Sequence, residues 1–376
     1  MKLDIHVLLV SAQAAPNLLA ALDPELRPKK AILLVSRKMA QKAADLEAVL
    51  NEANVATQCV ALENEHDLNL LEEVILGIAA ENSGKLIALN VTGGTKLMAL
   101  AAQAVASAAN WPVFYVDIDT DEIIWLDKSE NPRKISATLR LPHYLRSYGF
   151  SPSPGLDRPI RTGDYDNIFR TLIPQLGSLE KPLGQLNFLS QKAEDEGRLA
   201  IPLSNHQLND PHLSALLRLF EEAAILKVTA SGAVFADKPA LTFLKGGWLE
   251  HYVYRAVTSL HGELSIRDKA ANLKVTDSGA VINELDVAFL ARNRLFVIEC
   301  KTARMDSERS TKANDTLFKL AEISRRVGGL GTRSMLTSYR ALRDAELRLA
   351  KALEIETVCG IELAKLDERI RRWVKK

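Results

Sequence analysis

Three side chains in the C-terminal third, in the pattern Asp286-x12-Glu299-x-Lys301, have the types and spacing for metal-assisted cleavage of a phosphodiester. They fall on a stretch, Ile282 to Lys301, that reads as two strands reversing at Arg292-Asn293. Leu285, Val287 and Phe289 alternate with Glu284, Asp286 and Ala288, and Phe296, Ile298 and Cys300 alternate with Val297, Glu299 and Lys301. Period-2 alternation puts the acids on the face opposite the large apolar side chains. A two-residue turn pairs Ala291 with Arg294, so counting back sets Asp286 opposite Glu299 and Glu284 opposite Lys301. Directly opposed strand residues have Cβ atoms roughly 4.5–5.5 Å apart, where like charges repel. A hard divalent cation between the two carboxylates removes that conflict, its remaining positions left to water and phosphate. Lys301, two residues past Glu299 on the same face, is placed to steady an attacking water or a phosphate. The ordinary alternative is a solvated hairpin face with a cross-strand Glu–Lys pair.

A second candidate site lies far upstream. Asn90-Val-Thr92-Gly93-Gly94-Thr95-Lys96 joins a short apolar run to a small-residue helix, and Ser11-Ala-Gln13 follows the first apolar run. A strand-to-helix turn of this kind exposes backbone N–H groups at the positive end of a helix. Glycines let the backbone approach an anion, the hydroxyls add donors and Lys96 adds charge. The spacing is neither that of a Walker A loop nor G-x-G-x-x-G. A plain capped turn is the alternative to a nucleotide or phosphodiester site.

The Asp286…Glu299-x-Lys301 pattern resembles the core of the PD-(D/E)xK nucleases, which have the restriction-endonuclease-like fold. The block Asn90 to Ala99, with the loop Ser11-Ala-Gln-x-x-Pro-Asn17, resembles the CARF sensor domain of CRISPR-associated nucleases that carry both modules on one chain. Gly246-Gly-Trp-Leu-Glu-His-Tyr-Val-Tyr254, Asn283-Glu-Leu-Asp286 and Val297-Ile-Glu-Cys-Lys301 match the second signature of that group in order and spacing. The resemblance implies Mg²⁺ or Mn²⁺ on Asp286 and Glu299, helped by Glu250 and the Val297 or Cys300 carbonyl. Glu284 is expected either to pair with Lys301 or to join the site. It also implies a cyclic oligoadenylate activator, cyclic tetra-adenylate first among them, bound by Ser11, Gln13 and Thr92 to Lys96. The activator would lie across a homodimer, and the substrate would be DNA, RNA or both. Glu250 could equally do no more than favour a helix dipole.

These sites need elements to hold them. Apolar runs at Ile5–Val10, Ala31–Ser36, Gln58–Leu62, Leu86–Val91 and Val113–Asp117 alternate with helical patterns at Asn17–Leu22, Lys38–Asn51, Asp67–Glu81 and Lys96–Ala109. That order predicts a mostly parallel, Rossmann-like α/β sheet over residues 1–147. Ligands bind such sheets beyond the carboxyl ends of the strands, where both candidate loops fall. Asn17 and Thr95 are the expected N-caps. Asp117–Trp125 reads as a closing hairpin. A Pro-, Gly- and Ser-dense stretch makes 148–164 a linker. Residues 165–244, helices at Tyr165–Leu176, Leu183–Glu194 and Pro211–Ala223 before a hairpin turning at Thr229–Gly232, read as a winged-helix-like connector. No Lys/Arg cluster marks a recognition helix there, so transmission and dimerisation outrank DNA contact. Residues 245–376 form the α/β nuclease domain: helix Trp248–Leu260, the core hairpin, helix Thr311–Val327, strand Arg333–Thr337 and helix Ala341–Leu353.

Composition sets the remaining bounds. A 47% hydrophobic, 25% charged chain of 376 residues has the balance of an ordinary globular protein of two or three domains. No long apolar run predicts a membrane span, and the Leu3–Val10 stretch, broken by Asp4 and His6, lacks a signal-peptide pattern. Cys59, Cys300 and Cys359 are too scattered for a disulfide framework or zinc site, so a cytoplasmic location is expected. The net charge of +1 hides a balance of −4 over residues 1–147 (14 basic, 18 acidic) and +8 over 291–376 (20 basic, 12 acidic). The basic third suits a polyanion, although helix Leu366–Lys376 alone reads as a solvated basic face. Two rival classes remain: an ungated repair or restriction nuclease, and a CARF winged-helix transcription regulator. The intact catalytic trio speaks against the second and the Thr92–Lys96 turn against the first.

Overall fold

Alternating strands and helices build the N-terminal sheet. The computed structural model describes residues 3–126, 131–153, 165–302 and 312–376. The strands are β1 (Ile5–Leu9), β2 (Lys30–Ser36), β3 (Ala56–Leu62), β4 (Ile87–Asn90), β5 (Val113–Asp117), β6 (Glu122–Trp125) and β7 (Arg133–Lys134), in the order β3-β2-β1-β4-β5-β6-β7. The first five are parallel, and β6 and β7 close the edge antiparallel. Sequence order reverses between β1 and β4, whose carboxyl ends therefore lie side by side at the switch point that doubly wound sheets use for ligands.

Asn17 does not cap its helix. Pro16 starts the helix earlier, at Ala15, and Asn17 is buried inside it, donating to Leu9 O at 2.9 Å and accepting from Asn90 Nδ2 at 3.0 Å. It ties the ends of β1 and β4 together. Thr95 is an N-cap and accepts from Met98 N–H at 3.2 Å.

Residues 148–153, expected in a linker, are stitched into the other large sheet: β8 (Ser151–Pro152) pairs with its edge, Ser153 N–H donates to Lys274 O, and Tyr148 and Phe150 are buried. Residues 154–164 of that expected linker lie outside the described residues, as does Thr311 at the head of the helix observed over Lys312–Gly328. The connector holds helices Asp166–Leu172, Leu176–Asp195 and Pro211–Glu222, with a three-stranded sheet of β9 (Ala200–Pro202), β10 (Leu226–Thr229) and β11 (Gly232–Phe235). That small sheet runs in the order β10-β11-β9.

The nuclease sheet consists of β8, β12 (Ile266–Thr276), β13 (Ile282–Ala291), β14 (Arg294–Lys301), β15 (Arg333–Ser338) and β16 (Ile355–Cys359), in the order β16-β15-β14-β13-β12-β8. Both of its faces are covered. One packs against the connector, helix Trp248–Ser259 and the C-terminal helix Leu366–Lys375. The other shares a continuous core with the N-terminal domain and helix Lys312–Gly328. The last helix is therefore not simply solvated: Leu366, Ile370, Trp373 and Val374 are buried, and Trp373 lies edge-on to Phe296 at 4.9 Å.

Candidate active site and sensor turn

Arg292 and Asn293 both take positive φ, 50° and 55°, so a tight turn joins β13 to β14 with Ala291 paired to Arg294. This is the backbone of a two-residue hairpin whose twist suits the strands. The ladder stops at Val287↔Ile298, one pair short of Asp286 and Glu299. There Cys300 N–H donates to Asp286 Oδ2 at 2.7 Å. The expected direct opposition of the two carboxylates is thus replaced by a carboxylate that captures a strand amide. Glu284 pairs across β12 with Lys274, while the Lys301 ammonium forms its ion pair with Glu299.

The expected single apolar face also breaks at Asp286. Leu285 packs in the core shared with the N-terminal domain, whereas Val287, Phe289 and Ala291 pack in the connector-side core. The cause lies on β12. Asn272 adopts φ 50° between the pairs Ala271↔Val287 and Leu273↔Leu285, interrupting the pleat beside Asp286. Asn tolerates this left-handed backbone better than most residues. Its side chain also does something no sequence pattern signalled: Asn272 Nδ2 donates to Glu250 Oε2 at 2.6 Å. Glu250 stands in the first turn of helix Trp248–Ser259 and is thereby turned toward the hairpin.

The electrostatics of the cluster follow from burial and crowding. Burial, then Glu299 and Glu250, push the Asp286 carboxyl well above its ordinary range, against the pull of Lys301 and the Cys300 amide. Burial likewise raises Glu250, opposed by Asn272. Burial alone would lower Lys301, but Glu299 and Asp286 outweigh it and the ammonium is held above its usual value. Three carboxylates converge on one cation, a negative excess that fits a hard divalent ion with oxygen ligands. Among the described residues no group of three or more His, Cys, Asp and Glu lies close enough together to hold a metal ion.

At the other site, Gly93 packs so closely on Leu9 that an added Cβ would overlap the Leu9 carbonyl oxygen, and it would lie 3.4 Å from Ser11 Oγ. The two candidate loops are therefore in contact. Gly94 takes φ 72°. The hydroxyls expected as free donors are engaged internally: Thr92 Oγ1 donates to Asn90 Oδ1 at 2.6 Å and accepts from Val116 N–H at 2.7 Å. Ser11 Oγ accepts from Gln13 N–H, and Thr95 caps its helix. Lys96 is exposed.

Comparison with known proteins decides what the two halves are. Residues 5–144 match the Card1 CARF domain family, and residues 237–376 match the Card1-like endonuclease domain family. The chain pairs a Card1 CARF domain with a Card1-like endonuclease domain. Protein VC1899 from Vibrio cholerae is 27% identical, with a TM-score of 0.89 over 99% of this chain and 98% of that one. Can2 from Sulfobacillus thermosulfidooxidans, solved in complex with cyclic tetra-adenylate, is 25% identical, with a TM-score of 0.83 over 99% of both chains. A type III CRISPR defence DNA nuclease activated by cyclic oligoadenylate shares the fold at 19% identity and a TM-score of 0.54, over 90% of this chain and 46% of its own. A comparison with curated protein sequences gave no match.

The CARF domain touches the endonuclease domain at two points that bear on both sites. Gln13 Oε1, in the sensor loop, accepts from Leu330 N–H at 3.0 Å, just beyond helix Lys312–Gly328. The β5–β6 turn grips the tip of the catalytic hairpin: Arg294 donates to Ile118 O at 3.0 Å and pairs with Asp119 at 2.6 Å, while Asn293 Nδ2 donates to Asp121 Oδ1 at 2.8 Å. No helix among the described residues is long and apolar enough to cross a membrane.

Proposed function

We propose that this endonuclease serves type III CRISPR antiviral defence in the cytoplasm, cleaving or nicking DNA, RNA or both when a cyclic oligoadenylate occupies its CARF domain. The observation that carries the reading is that one hairpin bears Asp286, Glu299 and Lys301 on its strands and is gripped by the CARF domain at its tip. The relation to Can2, which was solved with cyclic tetra-adenylate, favours that ring as activator. A ring with an even repeat can sit on a two-fold axis and be contacted by the same loops of both subunits. Leu76 (54% exposed) and Leu100 (63% exposed), on the helices Leu68–Glu81 and Lys96–Ala108, are exposed apolar side chains of the CARF domain that a second copy would cover.

In the mechanism, Asp286 and Glu299 would hold Mg²⁺ or Mn²⁺, with Glu250 oriented beside them by Asn272. Bound there, the metal would supply Lewis-acid chemistry that favours an attacking water and offsets charge on the phosphate. Lys301, kept protonated by Glu299 and Asp286, holds the scissile phosphate or orients the attacking water. Cys300 serves through its backbone, since its amide fixes the Asp286 carboxylate. Ser11, Gln13 and the turn Thr92–Lys96 would receive the activator through backbone amides, the glycine-lined approach and the Lys96 charge.

The test is cleavage of supercoiled plasmid and labelled RNA by the purified protein with Mn²⁺ or Mg²⁺, with and without cyclic tetra-adenylate. Activator-dependent cleavage is expected, reduced at least ~10²-fold in Glu299→Gln and Asp286→Asn, with activator affinity retained. Equal cleavage in both arms overturns gating, and cleavage retained by those variants overturns the site.

A further inference from the structure

Glu250 and Lys301 of the catalytic cluster line a cleft of about 1260 Å³ whose second wall lies outside the matched endonuclease residues 237–376. It is the connector helix Leu176–Asp195, which contributes Lys181, Gly184, Gln185, Asn187, Phe188 and Gln191. On the opposite side stand Glu250, Lys274, Cys300 and Lys301. The helix is fixed there at three points: Asn187 Nδ2 donates to Thr302 O at 3.0 Å, Glu194 pairs with Lys245 at 2.6 Å, and Glu180 lies 3.7 Å from Arg340. The first of these is one residue past Lys301.

Phe188 follows Asn187 directly and is 69% exposed in the cleft mouth. Core formation does not account for it, because the apolar face of this helix, Leu176, Leu179, Leu183 and Leu186, is buried elsewhere. A large aromatic surface left in water inside a functional cleft, next to cations, matches the way proteins hold unpaired nucleic acid: charge tracks the backbone and a ring stacks on a base. The exposed side chains of Lys181 and Lys274 line the same space as Phe188, together with Glu250 and Glu284.

We propose that Phe188 is a positioning residue of the nuclease cleft, stacking on an unpaired base of the substrate strand and so setting the scissile phosphate over Asp286, Glu299 and Lys301. The proposal rests on the nuclease reading and assigns the connector a part in substrate binding. A base inside a continuous duplex already has both faces stacked, so the ring can be used only by a single strand, a loop or an extruded base.

The experiment uses the full-length protein with Mn²⁺ and cyclic tetra-adenylate. Its substrates are a single-stranded oligonucleotide and a set in which one nucleotide at a time is abasic. Phe188→Ala is expected to raise KM roughly ten-fold, with less effect on kcat, and Phe188→Trp to restore it. One abasic position should impose the same loss on the unaltered protein and add nothing to Phe188→Ala. Quenching of a 2-aminopurine placed at that position, measured by binding alone, reads the stack even if no cleavage occurs, so failure of the nuclease reading remains separable. An unchanged KM in Phe188→Ala, equal 2-aminopurine quenching by both proteins, or a KM effect explained by a shift to monomer in sedimentation would overturn the proposal.

Discussion

Replacing Gly93 by alanine is a sharp test of the sensor turn. The added methyl would point into the Leu9 carbonyl oxygen at the end of β1, and that oxygen is backbone, also bonded by the buried Asn17 amide at 2.9 Å. Leu9 is held on both sides, by β2 and by Asn17, so it cannot easily yield and the turn must move instead. Overpacking of this kind costs about 1–3 kcal/mol. The displacement needed is on the order of 1 Å, enough to cost roughly 10²-fold where several contacts must be met at once. Isothermal titration with cyclic tetra-adenylate should therefore show about a 10²-fold weaker Kd. The cleavage plateau at saturating activator should stay within a few-fold, because the catalytic cluster lies in the other domain. Lys96→Ala, at an exposed position, should weaken binding without altering thermal stability. A folded Gly93→Ala protein with unchanged activator affinity would refute the assignment of this turn.

Two further perturbations follow from single contacts. His6 is fully buried in β1 beside Phe114, and burial pushes its pKa down to about 3. Between that value and the unfolded 6.5 only the unfolded chain takes up the proton, so stability falls as pH drops through this window. Going from pH 7 to 5 should cost about 2 kcal/mol through this group; His6→Leu should show a correspondingly smaller shift in urea midpoint, and an equal shift would count against the buried neutral ring. Arg294→Met keeps the aliphatic stem but strands Ile118 O, so it should destabilise by about 1–3 kcal/mol and lower the ratio of activated to unactivated cleavage; an unchanged ratio would separate the grip from signalling.

The elements carried by local pattern were legible in sequence. The alternating strands and helices of the CARF domain, the Arg292-Asn293 turn and the Thr95 cap follow from periodicity and turn chemistry that act within a few residues. What escaped depends on distant partners. Two residues, Ser151 and Pro152, have too little length to show a strand period, and only β12 makes them one. Asn272 reads as an ordinary strand residue until Glu250 and the twisted pleat are seen together. Asn17 has the type of a cap, but Pro16 sets the start of the helix and burial gives Asn17 a different partner. The hairpin looked one-sided because its polar residues alternate; covering by two separate cores requires the whole chain.

The route between the two sites can be argued from which contacts are cheap to break. The hairpin is stiff at its centre: Phe289 and Phe296 stack 4.9 Å apart at an interplanar angle of 7°, and Trp373 closes on Phe296 at 4.9 Å. A movement at the tip therefore carries along the strands toward Asp286, Glu299 and Lys301. At the tip, Arg294 is only 10% exposed but its partner Asp119 is 87% exposed. An ion pair with one solvated member is worth roughly 0–1 kcal/mol, whereas disrupting the aromatic stack would cost several times that. The Arg294–Asp119 contact and the Gln13–Leu330 hydrogen bond are thus the weakest contacts of a junction that also contains a shared buried core, and a ligand-driven switch needs contacts of this kind, cheap to exchange between two arrangements. The connector is held by a different set, at Thr302 and Lys245, beside the cleft instead of beside the sensor. On the proposed reading, the hairpin would transmit the signal and the connector would frame the substrate.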